Sequence, residues 1–257
     1  MTTMKSVRTG EQNKIDVVDA ERPSPGPKDA LVRIRACGIC GTDTHFLHLG
    51  GVPFGPGGSM VSLPLGHEPA GEVVEVGAGP IGLGATIWLK LRGVEHVVVA
   101  DVIPERLRTA LAVGADAVID SAAEDVTARL TELHGPAANA LGQPRAGTDI
   151  YIDAAGVPAV FNTTVESAKW GAKLVMVAVQ KKSDAIDLGG MLRSELTLVA
   201  SQGYPTEIFE VTPELVEHQE LFARLISHRV PFSEVGRAYE LAMTPGAAEK
   251  VVVTFEP

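Results

Sequence analysis

From residue 96 onward, short β-branched runs alternate with amphipathic stretches, the pattern of repeated βαβ units. HVVVAD (96–101), DAVID (116–120), DIYIDAA (149–155), KLVMVAV (173–179) and LTLVAS (196–201) predict strands that such units set parallel. Between them, PERLRTALAVG (104–114), AAEDVTARLTELHG (122–135) and PAVFNTTVESAKWG (158–171) carry apolar residues at helical spacing, and each closes on glycine, a usual helix stop. This central block reads as α/β with a doubly wound parallel sheet. The first 76 residues differ. DALVRIRACGIC (29–40) alternates apolar and polar positions like a half-exposed strand, and HLGGVPFGPGGSMVSLPLG (48–66) is rich in Gly and Pro. A separate antiparallel region is expected there. In the tail, a helix opening at Thr212-Pro213, another near Ser233 to Met243 and a final strand EKVVVTFE are predicted.

Composition narrows the class. Hydrophobic residues at 45%, charged residues at 21% and 27 dispersed glycines describe a folded, enzyme-sized chain of 257 residues. A net charge of -10 argues against a basic surface for nucleic acid or anionic lipid. No apolar run reaches the roughly 18 to 20 residues of a membrane span, and the start MTTMKSVRTGEQNK lacks the core of a secretion signal. The expectation is a cytoplasmic protein with a small-molecule partner, no nucleic acid and no membrane.

The first chemical motif is Gly77-Ala78-Gly79-Pro80-Ile81-Gly82, preceded by EVVEV (72–76) and followed by an apolar helical stretch. Strand, turn and helix occur in order, and Asp101 closes the next strand nineteen positions after Gly82. The first glycine permits the tight turn, the second lets backbone N–H groups approach a pyrophosphate, and the third allows close helix–strand packing. Gly77, Gly79, Pro80, Ile81 and Gly82 therefore form a candidate dinucleotide turn, with the anion at a helix N-terminus. Asp101 would accept from the adenosine ribose hydroxyls and repel a 2′-phosphate, favouring NAD over NADP; Arg106 would offset that repulsion or stack on adenine. The competing reading is a structural glycine turn beside a surface aspartate.

The second motif is CGICGTDTHF (37–46) with GHE (66–68). A thiolate and an imidazole suit Zn²⁺, whereas two cysteines are too few for a disulfide scaffold. A Cys37–Cys40 redox pair is the alternative, without a thioredoxin-like context around it. His45 and His48 read equally as surface loop histidines, and His96, His134, His218 and His228 show no partner pattern.

Taken in order, G-I-C-G-T-D-T-H, G-H-E and G-A-G-P-I-G with its later Asp resemble the zinc-dependent medium-chain alcohol dehydrogenase family, especially its polyol and threonine dehydrogenase-like branch. The resemblance implies Cys40 and His67 as zinc ligands, Glu68 in or next to the ligand shell, and Asp43 behind the ligand histidine. It implies Thr42 at the substrate hydroxyl and His45 in a proton relay. It further implies Zn²⁺ and NAD as cofactors, oxidation of a secondary alcohol or polyol to a ketone, and a dimer contact around residues 186–195. A thiol redox protein and an inactive nucleotide-binding remnant or interaction protein are the rival functions.

Measured against that family, on the order of a hundred residues between G-H-E and the nucleotide turn are absent, too many for ordinary loop variation. The missing part would carry a third zinc ligand, a four-cysteine structural lobe and the native first strand of the nucleotide domain. The join falls at Glu72 to Gly79, where one G-A-G serves both flanking segments. Glu72 and Glu75 interrupt EVVEV, contrary to the continuous apolar run of a buried parallel strand. As a strand, residues 72 to 76 would also hold His67 roughly 16 Å from the coenzyme edge of the sheet. The expected organisation is a truncated GroES-like β-rich domain over 1–71, a Rossmann domain over 72–205 and a segment over 206–257 returning to the first domain.

Overall fold

The computed structural model describes residues 3–21, 34, 36–54, 59–65, 68–70, 79–180, 185–202, 207–244 and 246–255. The chain divides into two units, Met1–Gly77 with Ile226–Pro257, and Ala78–Leu225.

The first unit opens with the hairpin β1 (Thr3–Thr9) and β2 (Ile15–Glu21), paired antiparallel from Thr3↔Glu21 to Thr9↔Ile15. Its turn uses Asn13 at φ 62°, a conformation asparagine tolerates, and Gly10 donates its amide to the Lys14 carbonyl at 3.0 Å. Next come β3 (Ala36–Gly38), α1 (Gly41–Leu49), the short hairpin β4 (Val52–Phe54) with β5 (Ser59–Val61), and β6 (Glu68–Ala70). The stretch 29–40 expected as one strand is therefore strand at 36–38, while 29–33 and 35 lie outside the described residues.

The second unit begins with α2 (Gly79–Leu91), whose Leu83, Thr86 and Ile87 are buried at i, i+3 and i+4. There follow β7 (Val98–Asp101), α3 (Pro104–Ala112), β8 (Ala117–Asp120), α4 (Val126–His134), the ribbon β9 (Pro136–Ala138) with β10 (Pro144–Ala146), and β11 (Ile150–Asp153). Then α5 (Pro158–Ser167), β12 (Lys173–Met176), α6 (Leu188–Ser194) and β13 (Thr197–Ala200) complete the alternation, before α7 (Ile208–Glu217) and α8 (Gln219–Phe222). All five expected parallel strands are present. They form two parallel sheets among the described residues, β7–β8 and β11–β12–β13. In the doubly wound order 3-2-1-4-5-6 the strand between these sheets is the first one. Residues 72–76, expected to supply it, lie outside the described residues.

Lys90, near the end of α2, donates to the carbonyls of Val94 and Glu95 at 3.1 and 3.0 Å and to the Asp116 carboxylate at 2.9 Å. Asp116 also accepts from the Val97 amide at 2.7 Å, so one ion pair fixes the helix end to the starts of β7 and β8. Lys90 holds the Asp116 carboxyl below its ordinary range.

In α7 the expected start at Thr212-Pro213 is corrected: the helix begins at Ile208 and Pro213 lies inside it. Proline lacks the N–H that would bond the preceding turn. The apolar spacing Ile208, Val211, Leu215 nevertheless runs across it, and Leu215 is buried. Among the described residues no helix is long and apolar enough to cross a membrane.

The chain returns to the first unit through β14 (Ile226–Pro231), α9 (Val235–Met243) and β15 (Lys250–Thr254). The sheet order is β14–β15–β3–β6, with β14 parallel to β15 and the other pairs antiparallel. Val235, Ala238 and Tyr239 turn one face of α9 into a core with Ile39, Leu47, Val230, Val251 and Val253.

His96 and His134, without a visible partner in sequence, meet edge to face with ring centroids 4.9 Å apart. The His134 Nδ1 lies 2.7 Å from the Thr148 hydroxyl. Burial first, then His96 and Lys169, lower the His134 pKa, and Asp149 partly offsets them. The folded state thus favours neutral His134, and as pH falls through the unfolded value of about 6.5 the unfolded chain takes the proton first and stability is lost. His134→Gln, which keeps a polar partner for Thr148, is expected to flatten the fall in melting temperature between about pH 7.5 and 5.5.

Candidate dinucleotide and catalytic residues

Around α1 the structure brings together three of the sequence-predicted residues. Cys40 is the residue before the helix, in extended conformation at φ -91° and ψ 158°, and Asp43 stands in the first turn. The Cys40 amide donates to Asp43 Oδ2 at 2.9 Å, satisfying a donor that the helix start would leave open. Asp43 is 1% exposed, and its negative charge in the first turn also complements the helix dipole. Cys40 Sγ lies 3.7 Å from Thr42 Oγ1. Gly50 ends α1 in the left-handed region at φ 74°.

Strand pairing adds a fourth. The antiparallel register Gly38↔Glu68 and Cys37↔Pro69 carries the Glu68 backbone alongside the stretch leading into Cys40. Tyr239 of α9 faces the same place: burial, with Asp43 and Cys37 adding to it, pushes its hydroxyl far above the ordinary range, so it stays neutral. Sequence reasoning missed Tyr239, since only the tertiary fold brings α9 to α1. His45 is half-buried on α1, its ring centroid 6.2 Å from that of Phe46, and exposed His48 bonds Asn13 at 2.6 Å. His67 lies outside the described residues. Among the described residues no group of three His, Cys, Asp or Glu side chains is placed to hold a metal ion. The described donors therefore do not complete a zinc site by themselves.

In the second unit, Gly79 and Pro80 open α2, followed by half-buried Ile81 and by Gly82; Gly77 lies outside the described residues. A Cβ on Gly82 would stand 3.5 Å from the Ala154 Cβ, ordinary contact. Asp101 ends β7: its Oδ1 accepts from the Ile103 amide at 2.9 Å, and its Oδ2 lies 3.6 Å from Arg106 Nη1. About a quarter of the Asp101 side chain is exposed (25%), leaving acceptor capacity for ribose hydroxyls. Arg106 Nε is buried without a hydrogen-bond partner among the described residues. A part-exposed carboxylate at a strand's C-terminal end, beside a partly neutralising guanidinium, fits an adenosine ribose.

The comparisons agree with this architecture. Residues 80–218 match the family described as zinc-binding dehydrogenase, and residues 26–97 match the alcohol dehydrogenase GroES-like domain. These define a medium-chain dehydrogenase, with a nucleotide-binding block following a GroES-like one. The chain belongs to the zinc-dependent medium-chain alcohol dehydrogenase family. It is 27% identical over 207 residues to L-threonine 3-dehydrogenase of Idiomarina loihiensis, covering 79% of this chain and 57% of that protein. The chain thus spans little more than half the length of such relatives. Two solved structures share the fold. One is 2R,3R-butanediol dehydrogenase of Bacillus subtilis, with a TM-score of 0.78 at 18% identity, covering 97% of this chain and 99% of that one. The other is an Escherichia coli alcohol dehydrogenase complexed with NADH, with a TM-score of 0.76 at 20% identity, covering 98% and 99%.

Asp43→Ala strands the Cys40 amide at the start of α1. It is expected to lower unfolding free energy by about 1–3 kcal/mol, with Asp43→Asn, which keeps an acceptor, losing less, as read by denaturant titration.

Proposed function

We propose that the protein binds NAD and oxidises a secondary alcohol or polyol to a ketone. The observation that carries this reading is Asp101, its carboxylate part-exposed at the end of β7 on the strand that follows the α2 turn. In the reaction the substrate carbon gives a hydride to the nicotinamide ring and its hydroxyl gives a proton to solvent. Thr42 would hold that hydroxyl and His45 would pass the proton outward. Asp101 would orient the coenzyme through the adenosine ribose and Arg106 would balance its charge. The α2 N-terminus, with Gly77, Gly79, Pro80, Ile81 and Gly82, would take the pyrophosphate. Cys40, His67 and Glu68 are the residues that would hold Zn²⁺, which supplies acidity to a bound alcohol. Asp43 would support them from behind. Exposed Leu188 and Leu192 on α6 support self-association at that edge as part of the same reading.

A second reading, nucleotide binding without turnover, is favoured by the shortened span relative to the relatives. Zinc-reconstituted protein incubated with NAD and a panel of secondary alcohols, polyols and L-threonine separates the two. NADH absorbance supports the dehydrogenase, whereas NAD-raised melting temperature with no NADH from any substrate leaves only the binding protein. Under either reading Asp101→Ala is expected to weaken NAD binding about tenfold and narrow its advantage over NADP, measured by calorimetric titration.

A further inference from the structure

Three parallel strands of the second unit end in aspartate, and two of these do the same modest thing. Asp101 accepts from the amide of Ile103, and Asp120 from the amide of Ala122, each two residues ahead. Asp153 at the end of β11 does more. It is 1% exposed; its Oδ1 accepts from both the Ala155 and Gly156 amides at 3.0 and 2.9 Å, and its Oδ2 accepts from the Gln180 carboxamide at 2.6 Å. Gln180 belongs to a different loop, the one leaving β12. The Asp153 carbonyl also accepts from Val177 and Ala178 at 3.1 Å each, so side chain and main chain of one residue bind that loop together.

The two loops touch closely. Gly156 sits at φ +66°, and a Cβ there would meet the Val179 carbonyl at 2.4 Å, so neither handedness nor space admits a side chain. On its other side the first loop meets α2, because Ala154 is the nearest neighbour of the space beside Gly82. A buried carboxylate is costly unless its acceptors are filled, and here neutral amides fill them. Turn formation alone does not require this, since Asp101 and Asp120 turn the chain while remaining partly exposed.

Position gives the expense a purpose. A doubly wound domain takes a dinucleotide across two halves at the C-terminal ends of its strands. Asp101 lies on the β7–β8 half, so the half-site at the ends of β11 and β12 receives the other nucleotide. We propose that Asp153 is a positioning residue that clamps the loops 154–156 and 177–180 together beside Gly82 of α2 and so sets the surface for the nicotinamide half of the coenzyme. This rests on the dinucleotide reading above.

Binding of NADH and of AMP, which engages only the adenosine half, tests it by calorimetric titration of the full chain carrying Asp153→Ala, Asp153→Asn and Gln180→Ala. Asp153→Ala is expected to weaken NADH about tenfold or more, the scale of a lost buried hydrogen bond, while AMP affinity stays within about twofold. Asp153→Asn keeps an acceptor for the loop amides, and a rotated Gln180 can accept its N–H, so NADH affinity is expected to recover most of the loss. Gln180→Ala, a change at an exposed residue, is expected to show a several-fold NADH-selective loss and decides the matter if Asp153→Ala does not fold. Equal losses for NADH and AMP, or unchanged NADH affinity in Gln180→Ala and Asp153→Ala, overturn the clamp. Wild-type protein that binds neither molecule removes the dinucleotide reading itself and the clamp with it.

Discussion

A parallel strand must release the chain at the same edge each time, and the amides of the departing turn need acceptors there. In this protein an aspartate at the strand end supplies them at β7, β8 and β11. The parallel register places Asp101 beside Asp120, so these carboxylates share one edge of their sheet. That edge is where a doubly wound domain receives its ligand. One solution to a backbone problem therefore also lines the ligand edge with acceptors, and Asp101 and Asp153 differ in use because one is left partly in solvent and the other is enclosed.

The GroES-like unit depends on the chain's return. Its four-stranded sheet sets β15 and β14, from the C-terminal end, beside β3 and β6 from the N-terminal part. The core under α9 joins Ile39 and Leu47 to Val251 and Val253. Without the return, β3 would lose its β15 neighbour, and the cysteine and aspartate at the start of α1 would lack the buried surroundings that make the Asp43–Cys40 bond worth having.

Much of the nucleotide-binding fold was legible because its signals are local. The β-branched runs at 96–101, 116–120, 149–155, 173–179 and 196–201 each contain an observed strand, and in 149–155 the strand stops at Asp153, where the chain turns. The expected helix over 122–135 starts only at Val126, since Asp125 caps it by accepting from the Ala128 amide. Other elements carried no such signal. Helix α1 buries Asp43, Thr44 and Leu47, a face too polar to stand out as an apolar stripe. The ribbon β9–β10 is pinned by buried Asn139, which accepts from Leu141 and Gln143 amides, and its strands each begin with proline. The hairpin β1–β2 holds its register mainly by backbone pairing over seven positions with much of both faces exposed.

By itself, then, the sequence determined the alternating strand and helix order and the family, because periodicity and short motifs depend on neighbours along the chain. Only the tertiary structure decided that His96 meets His134, that Tyr239 of α9 joins Leu47 of α1 in one core, and that Asp153 joins two loops through Gln180. Each of these pairs residues far apart in the chain, and no pattern along the sequence carries such a pairing, because it depends on where the folded chain brings the segments together.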